Sequence, residues 1–149
     1  MDEKLIIYRR NLPHWRLHGS SYYVTFRLHA SQAPLAPAER TIIVSAIKHF
    51  DSQRFRLCSY VVMDDHCHML LKPFEGLQSI MHSIRSYTAN QLHKTTRSGT
   101  GQVWQREYYD RIVRNEDEFW EKVSYVITNP QRRWPDVREY EWTQWFPFE

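Results

Sequence analysis

The sequence predicts an α+β domain with a ferredoxin-like split β-α-β arrangement, in which a central antiparallel sheet is followed by a further helix near the carboxyl end. Three observations predict this fold. An alternating strand comes first, two apolar runs joined by an acidic pair indicate a hairpin, and the full order is strand, helix, strand, strand, helix, strand, helix. The 149 residues are enough for a single domain, 1–149, of which 135–149 form a carboxyl-terminal tail.

The first strand and the first helix are indicated by two different periodicities. In "SSYYVTFRL" apolar and polar side chains alternate, which is typical of a half-buried strand. One face carries Tyr22, Val24, Phe26 and Leu28, and the other carries Tyr23, Thr25 and Arg27. A loop punctuated by prolines, 31–40, leads into "AERTIIVSAIKHF", in which the apolar residues recur at helical spacing.

The middle of the chain predicts a hairpin and a long helix. The apolar runs "FRLCSYVVM" and "HCHMLLK" are separated only by Asp64 and Asp65, the pattern of two antiparallel strands. The segment "LQSIMHSIRSYTANQLHK", residues 77–94, then repeats its apolar side chains with the period of a helix, and "TTRSGTGQ" is a glycine-containing loop.

The last part of the chain predicts a short strand, a capped helix and a tail. "YYDRIVR" is the strand. In "NEDEFWEKVSYVITNP", Asn115 is the expected N-cap, Glu118 has capping-box spacing, and we expect the helix to end at Asn129-Pro130. The acidic and aromatic tail "EYEWTQWFPFE" either folds back over the domain or occludes a site in trans, and the sequence leaves both open.

Composition bounds the class of protein without naming a function. Twenty Lys and Arg against 17 Asp and Glu give a net charge of +3, too mild to indicate a nucleic-acid binder by charge alone. Cys58 and Cys67 lack metal-ligand spacing and are expected to be buried thiols in a reducing compartment. The amino terminus does not resemble a signal peptide, and no apolar run has the length of a membrane span, so we expect a soluble cytoplasmic protein.

Two histidines one residue apart, His66 and His68, are the first candidate for chemistry. Side chains at i and i+2 of a strand share a face, so the imidazoles should stand side by side while Cys67, Met69 and Leu71 enter the core. Such a pair can share one divalent ion, although polar residues on the solvent face of a strand are the more common explanation. Two ligands are too few for a closed zinc site, so a third must come from elsewhere.

The last helix supplies a candidate for that third ligand. Phe119, Val123, Val126 and Ile127 form one face of this helix, whereas Glu118, Lys122, Tyr125 and Asn129 form the polar face. Asn129 offers a hard oxygen ligand, and Tyr125 lies one turn before it. A tyrosine hydroxyl beside a divalent ion suits covalent catalysis on a phosphodiester, with a phosphotyrosine as the intermediate.

Several segments together resemble a known family. His66-Cys67-His68 resembles the His-hydrophobic-His motif of HUH nucleases, and "SYVITNP" resembles the catalytic helix of their single-tyrosine transposases. The four segments "RRNLPHWRLHGSSYYVTFRL", "VVMDDHCHMLLKP", "GQVWQREYYDRIVRNEDEF" and "YVITNPQRRW" are similar, in this order, to the REP-associated tyrosine transposases of bacteria. The resemblance covers nearly the whole chain.

The resemblance implies a ferredoxin-like HUH nuclease fold that cuts single-stranded DNA beside small repeated hairpins, leaving a 5′-phosphotyrosine and a 3′-hydroxyl. By position, Tyr125 matches the nucleophile, and His66, His68 and Asn129 match the ligands of Mg²⁺ or Mn²⁺. Insertion-sequence relatives carry Tyr-x-x-x-Gln, a pattern that occurs here from Tyr87, so Tyr87 is the alternative nucleophile. Lys122 is expected, from its helical position, to have a proton-transfer or phosphate-binding role.

Basic and aromatic residues alternate in three segments, "YRRNLPHWR", "WQREYYDRIVR" and "NPQRRW". Basic side chains neutralise phosphates and aromatic faces stack on unpaired bases, so these segments indicate DNA contacts. The predicted contact residues are Arg9, Arg10, Trp15, Arg106, Arg111, Arg114, Arg132 and Arg133. The alternative for Trp104, Tyr108 and Trp134 is that they fill the core.

Three hypotheses therefore remain at the level of the sequence. The first is the enzyme, a nucleoid-associated transposase acting on single-stranded and hairpin DNA, as a monomer or a homodimer. The second is a replication initiator or relaxase-like nickase with the same motif. The third, from a different class, is a ferredoxin-like nucleic-acid-binding regulator that does not cut DNA.

Overall fold

A computed structural model describes residues 19–99 and 101–146 of the chain. Arg9, Arg10 and Trp15, three of the predicted DNA contacts, lie outside these residues. The helices of the described part are α1 (Pro37–Phe50), α2 (Leu77–Thr95) and α3 (Glu116–Arg133). The strands are β1 (Tyr22–Arg27), β2 (Phe55–Val62), β3 (His66–Pro73), β4 (Tyr109–Ile112) and β5 (Thr143–Trp145).

The five strands form one sheet in the order β4-β1-β3-β2-β5, and every neighbouring pair is antiparallel. Strand β3 lies between β1 and β2, and β1 lies between β3 and β4, so that two β-α-β units are each split by a strand of the other. This is the predicted α+β arrangement, and the predicted β2-β3 hairpin is confirmed. Strand β5 adds a fifth member beside β2 that the sequence did not predict.

Helices cover both faces of the sheet. On one face α1 and α2 pack over a core that includes Val24, Phe26 and Met69. On the other face α3 packs through Phe119, Trp120, Val123 and Val126, each of which is 2% exposed or less. The prediction that β1 is half-buried is therefore wrong, because α3 also covers its second face and leaves Tyr23 and Thr25 only 6% and 7% exposed.

Helix α3 continues beyond the point at which the sequence predicted its end. It passes through Pro130 and ends at Arg133, although the residue before a proline is usually not helical. Asn129 and Pro130 are both buried, and the Trp134 amide donates to the Pro130 carbonyl. Packing of this turn against the domain thus outweighs the local preference for a break.

The tail folds back over its own domain, which decides between the two alternatives for residues 135–146. Strand β5 pairs with β2, the Tyr140 hydroxyl donates to the Val62 carbonyl at 2.6 Å, and Trp142 Nε1 donates to Thr41 Oγ1 at 3.0 Å. The tail therefore joins α1, the β2 edge of the sheet and the end of α3.

Two expectations from composition have structural counterparts. Cys58 and Cys67 are both buried and unpaired, and burial raises the pKa of each thiol, to about 12 for Cys58. Among residues 19–99 and 101–146, no helix is both long enough and apolar enough to span a membrane.

A buried carboxylate joins the start of α1 to the end of α2. Glu39 is 5% exposed and accepts hydrogen bonds from Arg97 Nε at 2.6 Å, Arg97 Nη2 at 2.9 Å and Thr96 Oγ1 at 2.7 Å. The Ala36 amide also donates to it. The hydrogen bond from Arg97 is the largest of the effects that lower the pKa of Glu39 to about 2.

We expect the replacement Glu39→Gln to lower the free energy of unfolding by about 3 kcal/mol at pH 7, because it removes a charge whose partner stays buried. The carboxylate has a lower pKa in the folded than in the unfolded chain. Its contribution is therefore complete above pH 4.5 and is lost as the pH falls toward 2. Urea denaturation between pH 7 and pH 3 measures the difference, which should shrink with falling pH.

Glu75→Gln is the matched control, since Glu75 pairs with Arg54 but its side chain is 45% exposed. An exposed pair contributes less than about 1 kcal/mol. Equal losses in the two variants would contradict the special role of the buried pair.

Candidate active site

His66 and His68 lie side by side on β3, as their spacing predicted. Their ring centroids are 4.7 Å apart, while Cys67 points into the core on the opposite face. The histidines are not on a solvent face, since they are only 8% and 4% exposed. The more common explanation of a His-x-His pair, that the histidines are polar residues on the solvent face of a strand, therefore does not apply.

Each imidazole is oriented through its Nδ1 atom. His66 Nδ1 lies 2.7 Å from Asp65 Oδ1, and because a carboxylate accepts, this nitrogen carries the proton. His68 Nδ1 lies 2.9 Å from the Tyr23 hydroxyl and 2.8 Å from Thr25 Oγ1. An Nδ1 proton shared between these hydroxyl oxygens leaves Nε2 as the nitrogen with a lone pair, which is how metal-binding histidines are commonly held.

The environment keeps His68 uncharged. Burial lowers the pKa of His68 to about 3, and electrostatic interactions with His66, Arg27, Arg132 and Lys122 act in the same direction. Burial together with Tyr125 and Tyr109 raises the pKa of Tyr23 to about 12, so that its hydroxyl keeps its proton beside the imidazole. A neutral imidazole is the form that binds a metal ion.

Helix α3 brings Tyr125 to the histidines of the same chain. The Tyr125 ring centroid is 5.7 Å from that of His68 and 6.2 Å from that of Tyr23, and the side chain is 43% exposed. The Arg132 guanidinium lies 4.0 Å above the Tyr125 ring, and Lys122 Nζ lies 5.9 Å from it and 4.7 Å from the Tyr23 ring. An exposed phenol thus stands between two cations at the edge of a buried histidine pair.

Asn129 lies on the same side of α3 as Tyr125, but it is buried. The sequence predicted an exposed polar face for it, whereas it is 8% exposed. Four residues before it Tyr125 touches His68, and four residues after it Arg133 touches Asp65, the partner of His66. Asn129 therefore lies between these two contacts along the helix.

The donor set fits an open metal site better than a closed one. Two imidazole nitrogens and one amide oxygen leave positions for water and substrate, an arrangement suited to Mg²⁺ or Mn²⁺. Within residues 19–99 and 101–146, no group of three or more His, Cys, Asp or Glu side chains is arranged to hold a metal ion. Among these residues a third protein donor would therefore be of another type, as Asn129 is.

An open cleft of about 520 Å³ begins at Tyr125 and runs along β1 and β4. Its wall includes His68 and the exposed Tyr109, whose ring lies 6.4 Å from that of Tyr23. Aromatic and polar groups share the lining: Tyr23, Thr25, Arg27, His68, Gln105, Glu107, Tyr108, Tyr109 and Tyr125. The cleft has room for a nucleotide directly beside the phenol.

The predicted basic contacts have different surroundings. Arg106, Arg111 and Arg114 are exposed, and Arg111 pairs with Glu118 at 2.8 Å. Arg132 hydrogen-bonds to Thr128 and lies on Tyr125, whereas Arg133 pairs with Asp64 at 3.0 Å and Asp65 at 3.6 Å. Of the aromatic residues for which a core role was the alternative, Trp104 is buried in the core, and Tyr108 and Trp134 are partly buried against it.

Tyr87 lies in α2, on the other side of the sheet from the histidines. Its ring stacks on that of His49 at 5.8 Å and meets that of Phe50 at 5.7 Å, so its neighbours belong to α1. Of the two candidate nucleophiles, only Tyr125 shares a face of the sheet with His66 and His68.

Tyr23, Thr25 and Asp65 contact the histidines but are not among the site residues predicted from the sequence. Their signal was present, because Tyr23 and Thr25 alternate onto one face of β1 and the split arrangement makes β1 a neighbour of β3. The register Thr25↔His68 completes the contact. Asp65 was assigned only to the hairpin turn.

Comparisons with known proteins identify the family of the chain. The family model "Transposase IS200 like" matches residues 37–129, a range that includes His66, His68, Tyr125 and Asn129. A REP-associated tyrosine transposase of Escherichia coli K12 is 23% identical over 124 residues, which are 83% of this chain and 71% of that protein.

A solved structure of a REP-associated tyrosine transposase bound to a REP hairpin has the same fold. It superposes with a TM-score of 0.70 at 20% identity, covering 84% of this chain and 76% of the other. The family match extends over more than half of the sequence and contains the histidine pair and Tyr125. The chain therefore belongs to the family of IS200-like transposases.

Proposed function

We propose that this protein is a REP-associated tyrosine transposase, which nicks and rejoins single-stranded DNA beside palindromic hairpins through a covalent 5′-phosphotyrosine. The observation that carries the proposal is the 5.7 Å distance between the ring centroids of Tyr125 and His68 of the same chain, beside an open cleft. The family of the chain, the name of its Escherichia coli relative and the hairpin bound to its structural neighbour support the choice of substrate.

The reaction is a phosphoryl transfer with Tyr125 as the nucleophile. Its phenolic oxygen loses the proton and forms a bond to the phosphorus of the scissile phosphodiester, while the bond from phosphorus to O3′ breaks. The departing O3′ keeps the electron pair and takes up a proton, which gives a 3′-hydroxyl and a 5′-phosphotyrosine. Attack by a 3′-hydroxyl reverses these changes and rejoins a strand, because the intermediate conserves the phosphodiester bond energy.

His66 and His68, through their Nε2 atoms, and Asn129, through its amide oxygen, would hold the divalent ion. When bound, Mg²⁺ or Mn²⁺ supplies positive charge to the non-bridging oxygens of the phosphodiester. The hydrogen bonds that His66 Nδ1 makes to Asp65, and His68 Nδ1 to Tyr23 and Thr25, limit rotation of the two imidazoles, so little freedom is lost on binding.

Lys122 and Arg132 flank the phenol, and both are placed to stabilise negative charge on its oxygen and on the phosphate. Their cationic groups lie 5.9 Å and 4.0 Å from the Tyr125 ring, close enough to stabilise an anionic oxygen and an approaching phosphate. Arg27, on the cleft wall, adds a third positive charge.

The cleft suits a single strand better than a duplex. Tyr109 is 54% exposed on the edge strand β4 and offers its ring to an unpaired base. Gln105 and Glu107, on the same wall, offer hydrogen-bonding groups to the edge of that base. The single-stranded flank of a hairpin would thus lie in the cleft with its phosphate at Tyr125.

Tyr125→Phe should abolish the covalent adduct with single-stranded repeat DNA, by about 1,000-fold or more, because the variant lacks the attacking oxygen. Hairpin binding should remain within about two-fold. Incubation with end-labelled DNA and Mn²⁺, followed by denaturing electrophoresis, measures the adduct.

Tyr87→Phe is the matched control, and it should form the adduct at the wild-type rate. Loss of the adduct in this variant instead would transfer the role of nucleophile to Tyr87. Hairpin binding by the wild-type protein without any adduct would favour the non-catalytic regulator.

His66→Gln and His68→Gln should each weaken Mn²⁺ binding and reduce adduct formation by about 100-fold or more, because each removes an imidazole donor. Paramagnetic resonance titration of Mn²⁺ gives the affinity without DNA. His82→Gln, an exposed histidine on α2, serves as the control and should match the wild type. Undiminished Mn²⁺ affinity in the first two variants would exclude these histidines as ligands.

Tyr109→Ala should raise the dissociation constant for a hairpin with a single-stranded flank about 10-fold, since a stacking surface is lost. Tyr109→Phe keeps the ring and should bind within about two-fold of the wild type. Fluorescence anisotropy measures the dissociation constants of both variants for a hairpin with the flank and for one without it. Equal weakening for the hairpin that lacks a flank would show that the ring contacts the duplex.

A further inference from the structure

We propose that Arg133 is a positioning residue: through Asp65 it holds His66 in the orientation of a metal ligand, and it ties the helix of Tyr125 to the hairpin of the histidines. This inference rests on the proposed function for the identity of the site. It replaces the expectation that Arg133 is a DNA contact.

The contacts link Arg133 to His66 through the side chain of Asp65. Arg133 Nη2 lies 3.0 Å from Asp64 Oδ2, and Arg133 Nη1 lies 3.6 Å from Asp65 Oδ1. The same Asp65 oxygen accepts the hydrogen bond from His66 Nδ1 at 2.7 Å. A single guanidinium thus bridges both acidic residues of the β2-β3 turn, and the second of them orients the imidazole.

The backbone of this turn is already held from other directions. The Leu28 amide donates to the Asp65 carbonyl at 2.9 Å, and the Leu35 amide donates to the Asp64 carbonyl at 2.6 Å. What remains variable is the direction of the Asp65 side chain, which is 46% exposed. Without Arg133 that carboxylate can turn toward water, and the proton on His66 Nδ1 then loses its fixed acceptor.

Arg133 also bears on the nucleophile. It lies eight residues beyond Tyr125 on α3, about 12 Å along the helix axis, and its contact with the turn adds an ion-pair link between that helix and the hairpin, beside the apolar packing that places the helix. Arg132 lies on the Tyr125 ring, and Arg133 lies on the turn. One side chain thereby links the helix of the tyrosine to the turn that orients the histidine.

The test uses Arg133→Gln, with Arg138→Gln as the matched control because Arg138 is exposed in the segment that follows α3. We expect Arg133→Gln to weaken Mn²⁺ binding about 3- to 10-fold, less than loss of the carboxylate itself would. The His66 Nδ1 proton should exchange with water several-fold faster in nuclear magnetic resonance spectra. Arg133→Lys should give intermediate values, since an ammonium keeps the charge without the fork that bridges two carboxylates.

A phosphate contact and a positioning role differ in their salt dependence. If Arg133 acts through Asp65, hairpin affinity measured without divalent ions, and its slope against salt concentration, stay at the wild-type values. The contrary result is a slope of log affinity against log salt concentration that is smaller by about one unit in Arg133→Gln, with Mn²⁺ affinity and His66 proton exchange unchanged. It would overturn the inference and restore Arg133 as a DNA contact.

A double-mutant comparison tests the route. In an Asp65→Ala background, Arg133→Gln should change Mn²⁺ affinity less than about two-fold. If Arg133→Gln weakens Mn²⁺ binding in the Asp65→Ala background as much as it does in the wild type, Arg133 does not act through Asp65. If the wild-type protein binds no Mn²⁺, the metal dependence of the proposed function is wrong. The exchange rate of the His66 Nδ1 proton in Arg133→Gln still tests whether Arg133 orients His66.

Discussion

The packing of α3 against β2 and β3, on one face of the sheet, is the constraint on which the rest of the structure depends. This helix buries an apolar stripe against the strands, and the same packing covers His66 and His68 and brings Tyr125 beside them. Burial is what keeps His68 neutral, and the exposed edge of the helix is what leaves the phenol accessible. Stability and chemistry are therefore consequences of one interface.

Charge is distributed unevenly around that interface. Lys122 and Arg132 lie beside the phenol on α3, and Arg27 of β1 and Glu107 lie on the wall of the cleft. The carboxylate of Asp65 contacts the histidine pair through His66 Nδ1. The cations near Tyr125 thus outnumber the carboxylates, and Asp65 is engaged in orienting the imidazole.

Much of the fold and the central pair of histidines could be predicted from the sequence, because alternation along β1 and β3 specifies faces directly. The order of elements, the hairpin and the neighbourhood of His66 and His68 followed from these local patterns. Strand β5 could not be predicted, since its three residues have no recognisable period of their own and pair only because β2 offers an edge. The passage of α3 through Pro130 and the burial of Asn129 depend on tertiary packing, which local propensity does not contain. Arg133 is predicted to contact DNA because paired arginines are usually exposed, and its ion pairs with the acidic turn, on which the proposed positioning role rests, depend on tertiary structure.

The burial of α3 has a further consequence for the position of Tyr125. Phe119, Trp120, Val123 and Val126 would all meet water if this helix moved away from the sheet, at a cost of about 1.5–3 kcal/mol for each side chain. Tyr125 is therefore held in place with its helix. If it is the nucleophile, as proposed, the exchange of DNA ends at its oxygen takes place by movement of the nucleic acid.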